Sequence, residues 1–477
     1  MVQPVLKRGC DKTDPSNYRP ISIVSAVAKV FEKCINQHIV KYLEVNKLIS
    51  DRQYGFRESR STTDLLTCVT DKWNLAVEQF GEAFAIALDI SKAFDKVWHE
   101  NLICKIVAYG IDSITVKWIK SFLKDRKISV VLNGSSSPSF SPNAGVPQGS
   151  VLSPTLFLLY INDLLDKTVN PIHCFADDAT LHSSISFEEE PTVTALNNKR
   201  FESVTLLNLD LKTIFEWGAQ NLVKFNENKT QVCTFSRKKN RNEHPFIVNN
   251  HVLESCDSIR LLGVQLSSKL KWNEHIIALV KSASQKLGFL NRCRRFFNAH
   301  QVLQIYKTFI RPCIEYCCQV WGGAAGTTLQ LLDRVQRRAI RIIRSPKLTK
   351  DLDSLQHRRD VAELCVFYRC MHGRCSTELS ERWPSLIIPT RATRGSTYAH
   401  RFTVKLPKPR TEEIKRNFIY RTSKKWNSLK NFKFPEHYNM KEFKAAVNLY
   451  LKDRALGAEA QTVTMSQDCP KVRSALN

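Results

Sequence analysis

Three carboxylates stand out by residue type and setting. Asp89 closes an apolar run, Phe84-Ala-Ile-Ala-Leu-Asp89, and Asp177 and Asp178 sit side by side between two apolar halves, Cys174-Phe-Ala-Asp177-Asp178-Ala-Thr-Leu181. Adjacent acids repel each other, and a tight β-hairpin tip tolerates them best where a divalent cation sits between buried strands. Their hard oxygens are the ligands Mg2+ prefers, with positions left over for phosphate oxygens and water. Two such ions about 4 Å apart would activate an attacking hydroxyl and stabilise the leaving oxygen of an in-line phosphoryl transfer. That chemistry suits a polymerase. A palm-type cyclase or another phosphotransferase could use the same trio, so the acids alone do not name the substrate.

The elements that must carry these acids are strands set among helices. Phe84 to Asp89, His173 to Asp178, Thr230 to Phe235 and Leu261 to Leu266 each read as strands of four to seven residues, which predicts an α+β block built on a sheet. Residues 1 to about 80 read as helical. Val27, Val30, Phe31, Cys34, Ile35 and Tyr42 fall near helical spacing between Ser25 and Asn46, and Ser61 with Asp64 forms a capping-box pattern. After Lys271 long helices take over. In the stretch from Leu331 to Arg344 one stripe is Leu331, Leu332, Val335, Ala339, Ile342 and Ile343, while Arg334, Arg337, Arg338, Arg341 and Arg344 lie mostly off it. Lys281, Lys286, Arg292, Arg294 and Arg295 add to a surface suited to tracking phosphates.

Charge points the same way. The 477 residues hold 71 Lys plus Arg against 45 Asp plus Glu, a formal net charge of +26, which suits a partner with a phosphate backbone. No apolar run reaches the ~18 residues of a membrane span. The longest, Val151 to Ile161, is broken by Ser153 and Pro154, and the start, Met-Val-Gln-Pro-Val-Leu-Lys-Arg, has no secretory h-region. The expectation is an intracellular protein without a membrane partner. The 15 cysteines are scattered and odd in number, as in a reduced compartment. Cys313, Cys317 and Cys318, or Cys365, Cys370 and Cys375 with His372, lack the paired C-x2-C spacing of a zinc site.

Other segments fall in a recognisable order. Asn17-Tyr-Arg-Pro-Ile-Ser22 comes first, then Gln53-Tyr-Gly-Phe-Arg57 with Arg60-Ser-Thr, then the Asp89 segment. Gly145-Val-Pro-Gln148-Gly149-Ser-Val-Leu-Ser-Pro-Thr-Leu-Phe follows, with glycines that let backbone approach a nucleic acid and a Ser153-Pro154 pair that reads as a helix start. Phe-Ala-Asp177-Asp178, Asn226-Glu-Asn-Lys229-Thr and Leu261-Leu-Gly-Val-Gln-Leu complete the series. Seven segments in this order resemble the reverse transcriptases of non-LTR, LINE-type retrotransposons, most of all the jockey-related group.

The resemblance implies a right-hand polymerase with an antiparallel palm sheet: fingers over 1–82, palm with remaining fingers elements over 83–270, a basic helical thumb over 271–346 and a helical C-terminal region over 347–477. It implies an RNA-directed DNA polymerase that binds an RNA template, a DNA primer and dNTPs, using two Mg2+ ions, with Mn2+ as a substitute. Asp89, Ile90, Asp177 and Asp178 would hold the metal. Arg57, Phe94, Gln148, Gly149 and Lys229 would contact nucleotide or template, Phe94 as a steric gate against a ribose 2′-hydroxyl and Lys229 at the pyrophosphate leaving group. Gly263, Arg334, Arg337, Arg338 and Arg341 would contact primer or duplex. Residues 416–429 resemble the group's C-terminal tail, where Trp426 reads as an anchor of a small helical core. The group normally carries an endonuclease ahead of the polymerase, whereas residue 1 already lies in the fingers. The expectation is a truncated copy whose nicking activity comes from elsewhere, working in the nucleus or a cytoplasmic ribonucleoprotein. Two alternatives stay open: a non-catalytic RNA-binding remnant, and an RNA-directed RNA polymerase, against which Phe94 argues.

Overall fold

The computed structural model describes residues 1–7, 9–240, 242–387 and 400–467, with the backbone alone from 455 onward. They fall into two units, Met1–Leu270 and Lys271–Asn477. The first unit runs β1 (Val2–Leu6), β2 (Tyr18–Ser22), α1 (Ala26–Val45), α2 (Thr62–Glu78), β3 (Glu82–Asp89), α3 (His99–Ala108), α4 (Ser113–Leu123), the two-residue strands β4 (Val131–Leu132) and β5 (Ser135–Ser136), then α5 (Ser153–Ile161), β6 (Ile172–Phe175), β7 (Asp178–Ile185), α6 (Val193–Gln220), β8 (Gln231–Phe235), β9 (Phe246–Val248), β10 (His251–Leu253), β11 (Ser258–Leu261) and β12 (Val264–Ser267).

An antiparallel sheet of order β6-β7-β3-β8 is the frame. Its central strand, β3, is apolar along nearly its whole length because both of its faces are covered. Phe84, Ile86 and Leu88 join a core with Leu156, Leu207 and Ile214, while α2 packs against β3. The outer end of β3 is locked by a buried ion pair. Arg200 of α6 donates through Nε and Nη2 to Glu82 at 2.8 and 2.7 Å, and Ser236 Oγ donates to the same carboxylate at 2.6 Å.

The structure corrects the N-terminal reading in two places. Residues 2–22, expected to be helical, form the hairpin β1–β2, with Val2 opposite Ser22 and Leu6 opposite Tyr18. Asp14 organises the connection by accepting from Ser16 N at 2.8 Å, and a strand five residues long leaves too few positions for its alternation to register. The helix after it is where spacing placed it, but only Ile35 and Tyr42 of its apolar stripe pack against the core. Val27, Val30 and Phe31 are 81, 65 and 54% exposed, while Glu32 is buried with Ile39 and Leu43. The reason is electrostatic: Glu32 accepts from Ser150 Oγ, from Val151 N at 2.7 Å and from Leu152 N at 3.2 Å, at the start of α5. That contact also replaces Ser153 as the cap, and Ser150 Oγ accepts from Leu152 N and Ser153 N. The run Leu261 to Leu266 is two strands rather than one, turning at Leu262 and Gly263, both with positive φ as a two-residue primed hairpin turn requires.

The second unit is helical: α7 (Asn273–Cys293), α8 (Ala299–Ile305), α9 (Arg311–Glu315), α10 (Cys318–Trp321), α11 (Gly326–Ile343), α12 (Pro346–Thr349), α13 (Leu355–Met371), α14 (Thr377–Glu381), α15 (Glu412–Lys415), α16 (Phe418–Asn427) and α17 (Met440–Gln467). One core gathers Leu287, Tyr306, Trp321, Leu332, Val335 and Ala339. A second surrounds Trp426, fully buried between Phe367 and Phe443, which makes that tryptophan a structural anchor. Beside it, Glu363 of α13 is buried and receives Arg421 Nη2 and Lys425 Nζ, each at 2.7 Å. Of the cysteine sets, Cys313 Sγ accepts from Lys286 Nζ at 2.7 Å, and His372 lies edge-on to Tyr368. No helix among the described residues is long and apolar enough to cross a membrane.

Removing one partner of a buried charge pair costs more than removing both, because the remaining charge stays desolvated. Arg200→Ala is expected to lower the unfolding free energy by about 3–5 kcal/mol in a denaturant titration, and Glu82→Gln combined with Arg200→Met to recover most of that loss. Equal losses in the two proteins would show that Glu82 is compensated by other groups.

Candidate active site

Strand register brings the three acids together. Asp89 is the last residue of β3, Asp178 is the first of β7, and the two are direct partners in the β3–β7 ladder. Phe175 pairs with Asp178 across the β6–β7 turn, leaving Ala176 and Asp177 as the two turn residues, with Ala176 at φ +57°. Sequence positions nearly ninety apart thus meet at one sheet end because both strands stop there. Pairing continues past β3: Ile90 is buried and bridges to Phe225, and Asn226 N donates to the Asp89 carbonyl at 2.9 Å. The turn that follows carries Lys229, whose Nζ lies 3.5 Å from Asp89 Oδ2. Both side chains are substantially exposed, so this is a weak, screened attraction.

The acids perturb one another as a metal-ready cluster should. Burial raises the Asp178 carboxyl to about 6, with Asp177 and Asp89 adding to the effect. Burial likewise raises Asp177; hydrogen bonding by its own backbone opposes this, Asp89 adds to it, and Arg19 opposes it. Beneath them the Cys174 thiol is pushed up to about 12 by burial and by both aspartates, so it is an inert packing group. Three hard-oxygen donors gathered on one sheet end, two of them with raised carboxyls, fit a divalent cation.

A second loop is fixed beside β3's continuation. Val146 N donates to the Phe94 carbonyl at 2.8 Å, and Ser22 N donates to the Gln148 carbonyl at 2.6 Å. The Gln148 side chain donates from Nε2 to Asp95 Oδ1 at 2.9 Å, so Asp95, a residue the motif reading passed over, aims that amide. Burial raises the Asp95 carboxyl, and the bond from Gln148 opposes the rise. Gly149 has φ +109°, and a Cβ there would stand 2.7 Å from the Ser22 carbonyl oxygen, so only glycine fits. Phe94 stacks on Phe157 at 4.8 Å between centroids and meets Phe56 edge-on at 6.4 Å. It is half-buried, with its position set by packing.

A model of the family described as "Reverse transcriptase (RNA-dependent DNA polymerase)" matches residues 6–266, more than half of the chain. The chain belongs to this reverse transcriptase family. Its relatives include the RNA-directed DNA polymerase from mobile element jockey of Drosophila funebris, 30% identical over 342 residues that cover 71% of this chain and 37% of that protein. The probable RNA-directed DNA polymerase from transposon X-element of Drosophila melanogaster is 26% identical over 349 residues, covering 72% of this chain and 37% of that one. Within that family it is similar to the polymerases of the jockey and X-element mobile elements. The chain spans a little over a third of the length of these relatives. Among solved structures, telomerase from Candida albicans gives a TM-score of 0.38 at 11% identity over 74% of this chain and 63% of that one. The RNA-dependent RNA polymerase of a human picorbirnavirus gives 0.39 at 10%, over 74% and 62%. The first unit is α+β, built on an antiparallel sheet, and the second unit is helical. Reverse transcriptases generally use divalent metal ions, RNA templates and nucleotides.

Within the reverse transcriptase fold, one residue expected at the nucleotide is occupied elsewhere. Arg57 is only 7% exposed in its side chain, donates through Nε and Nη2 to Glu44 at 2.8 and 2.7 Å, and reaches the Ser50 carbonyl with Nη1 at 2.7 Å. A guanidinium so engaged braces the 50–57 loop and is not available to a triphosphate. A cation that Asp177 does sense is Arg19, exposed on β2 within the Asn17-Tyr-Arg-Pro-Ile-Ser22 segment; no local signal separates it from any other surface arginine. Gly263 sits in the β11–β12 turn, and Arg260, Leu261 and Leu262 of that hairpin line one cleft with Asp178 and Ala179. In the second unit, taken by itself, Arg334, Arg337, Arg338 and Arg341 all project to solvent from α11, with no carboxylate paired to them among the described residues.

Because Asp178 is raised to about 6 from an ordinary 3.8, folding takes up a proton between those values. Its contribution to stability is greatest below the lower value and is lost as the pH rises through the upper one. Asp178→Asn is expected to raise the melting temperature of the protein, assayed without added divalent cations, by a few degrees at pH ~8 and to leave it unchanged at pH ~4; the effect stays small because Asp178 keeps a solvent-facing side. Equal shifts at both pH values would mean that the acids do not repel one another in the folded chain.

Proposed function

We propose that this chain is an RNA-directed DNA polymerase that extends a DNA 3′ end on an RNA template with dNTPs. The observation that carries the reading is the register that sets Asp89 opposite Asp178, with Asp177 in the adjoining turn. In this reading residues 1–82 act as fingers, 83–270 as palm and 271–346 as thumb. Asp89, Asp177 and Asp178, with Ile90 beside them, would hold two Mg2+ ions, or Mn2+ in their place. Bound there, such ions would supply Lewis acidity toward the primer 3′-hydroxyl and the leaving pyrophosphate.

The remaining work falls to side chains. Lys229, already drawn to Asp89, is placed to neutralise or protonate the departing pyrophosphate. Arg19 takes the triphosphate role that Arg57 cannot fill, since it is exposed and its charge is felt at Asp177. Gln148, aimed by Asp95, and Gly149, whose backbone a ligand can approach closely, contact the nucleotide and its template base. Phe94, clamped between Phe157 and Phe56, is a stiff wall against a 2′-hydroxyl. Gly263 and the arginines of α11 would follow primer and duplex backbone, in a sequence-independent manner.

Purified protein given a primed RNA template and Mg2+ is expected to extend the primer with dNTPs and not with rNTPs, and to fall to background as Asp177→Ala/Asp178→Ala. Phe94→Ala should raise the ratio of rNTP to dNTP incorporation by roughly ten- to a hundredfold. Folded protein that binds the hybrid yet never extends it is instead a nucleic-acid-binding remnant. Arg337→Ala/Arg341→Ala should flatten the slope of log affinity against log salt by about one per arginine; an unchanged slope removes α11 from the duplex path.

A further inference from the structure

The turn that presents Asp177 is held from outside the sheet. The 52–54 segment runs parallel to β6: Cys174 N donates to the Arg52 carbonyl at 2.9 Å, and Tyr54 N donates to the Cys174 carbonyl at 2.8 Å. Backbone pairing stops there, two residues short of the turn's own amide. The Gln53 side chain completes it. Its Oε1 accepts from Ala176 N at 3.0 Å and from Gly55 N at 2.9 Å. Both partners are N–H groups, so the atom facing them has to be the oxygen. Gln53 is 1% exposed, and its Nε2 has no partner among the described residues. A residue kept at the expense of an unsatisfied buried donor is kept for its acceptor.

Ala176 needs such a partner. It is a non-glycine residue at φ +57°, a conformation that persists only where the surroundings impose it. Gly55 closes the other side, since a Cβ on it would stand 2.3 Å from Ala176 N. The loop is itself anchored. Arg57 Nη1 holds the Ser50 and Gln53 carbonyls at 2.7 and 3.3 Å, and Ser50 N donates to Asn162 Oδ1 at 2.8 Å. Any rotation at Ala176 swings the next side chain, Asp177, away from Asp89 and Asp178.

We propose that Gln53 is a positioning residue for the acid cluster: its amide oxygen fixes the Ala176 turn and thereby the place of the Asp177 carboxylate, with Arg57 as the brace behind it. This rests on the polymerase reading for its consequence in catalysis, and on geometry alone for the turn. The effect is one of preorganisation. Without the acceptor the acids remain, but the carboxylates must be gathered each time a cation binds.

The test compares wild type, Gln53→Leu, which removes the acceptor at similar volume, and Gln53→Glu, which keeps an oxygen there. Hydrogen exchange at the Ala176 amide is followed by mass spectrometry, Mn2+ affinity by electron paramagnetic resonance, and extension rate against Mg2+ concentration. Gln53→Leu should exchange that amide roughly tenfold faster and bind Mn2+ roughly three- to tenfold more weakly, with its rate restored in part by raised Mg2+. Gln53→Glu should keep the protection. Wild-type exchange and Mn2+ affinity in Gln53→Leu, or loss of protection in Gln53→Glu equal to that in Gln53→Leu, overturns the proposal. If Gln53→Leu does not fold, Gln53→Asn, a methylene too short to reach Ala176 N, replaces it, and normal protection there overturns the proposal too. Wild type with a protected turn and bound Mn2+ but no extension sinks the polymerase reading and leaves the positioning role standing.

Discussion

Mutual repulsion among Asp89, Asp177 and Asp178 is the constraint around which the first unit is organised. Like charges at a sheet end separate unless the backbone forbids it. Here the β3–β7 ladder forbids it, with eight consecutive residue pairs ending in Asp89 opposite Asp178. Because side chains alternate faces along a strand, a slip of one residue would send one acid to the wrong side. The apolar filling of β3 and the Glu82–Arg200 lock at its far end therefore serve the acids as much as they serve stability. The strain is not removed by the fold. It persists as the raised carboxyl of Asp178.

The same logic governs the loops. Catalytic-looking segments are immobilised by contacts that look unremarkable one at a time: Asp95 on Gln148, Glu32 on the start of α5, Gln53 on Ala176, Arg57 on the loop behind it. Each contact satisfies a backbone amide, a side-chain amide or a carbonyl that would otherwise be left buried or free to rotate. The polar groups within the first unit thus form a scaffold for geometry, while apolar burial supplies the bulk of cohesion.

This division explains what was legible in the chain and what was not. The strands bearing the acids could be read because apolar runs that stop at carboxylates are rare combinations, and because the paired aspartates demand a tight turn. The hairpin β1–β2 could not, since its strands are five residues long and hold prolines at Pro4 and Pro20. The exposed first turns of the α1 stripe were misjudged because apolar spacing outweighs a single glutamate in any periodicity count, whereas one buried carboxylate with three donors outweighs exposed valines in the fold. Arg57 was assigned to the nucleotide by the resemblance of its segment; nothing in its neighbours announces Glu44, thirteen positions earlier. Gln53 and Asp95 were silent because a glutamine or an aspartate in a motif looks the same whether it touches a ligand or a turn.

The sandwiching of Phe94 between Phe157 and Phe56 carries a cost for adaptation. Phe157 belongs to α5, a helix buried along almost its entire length, so the ring that would discriminate sugars shares a wall with the interior of the unit. Relaxing or sharpening that discrimination cannot proceed by small adjustments of one loop, because each change in ring size opens or crowds the hydrophobic layer behind it. With Phe94 as the proposed gate, fidelity toward the sugar and cohesion of the fold would be inherited together, and a lineage that loosened one would have to rebuild the other.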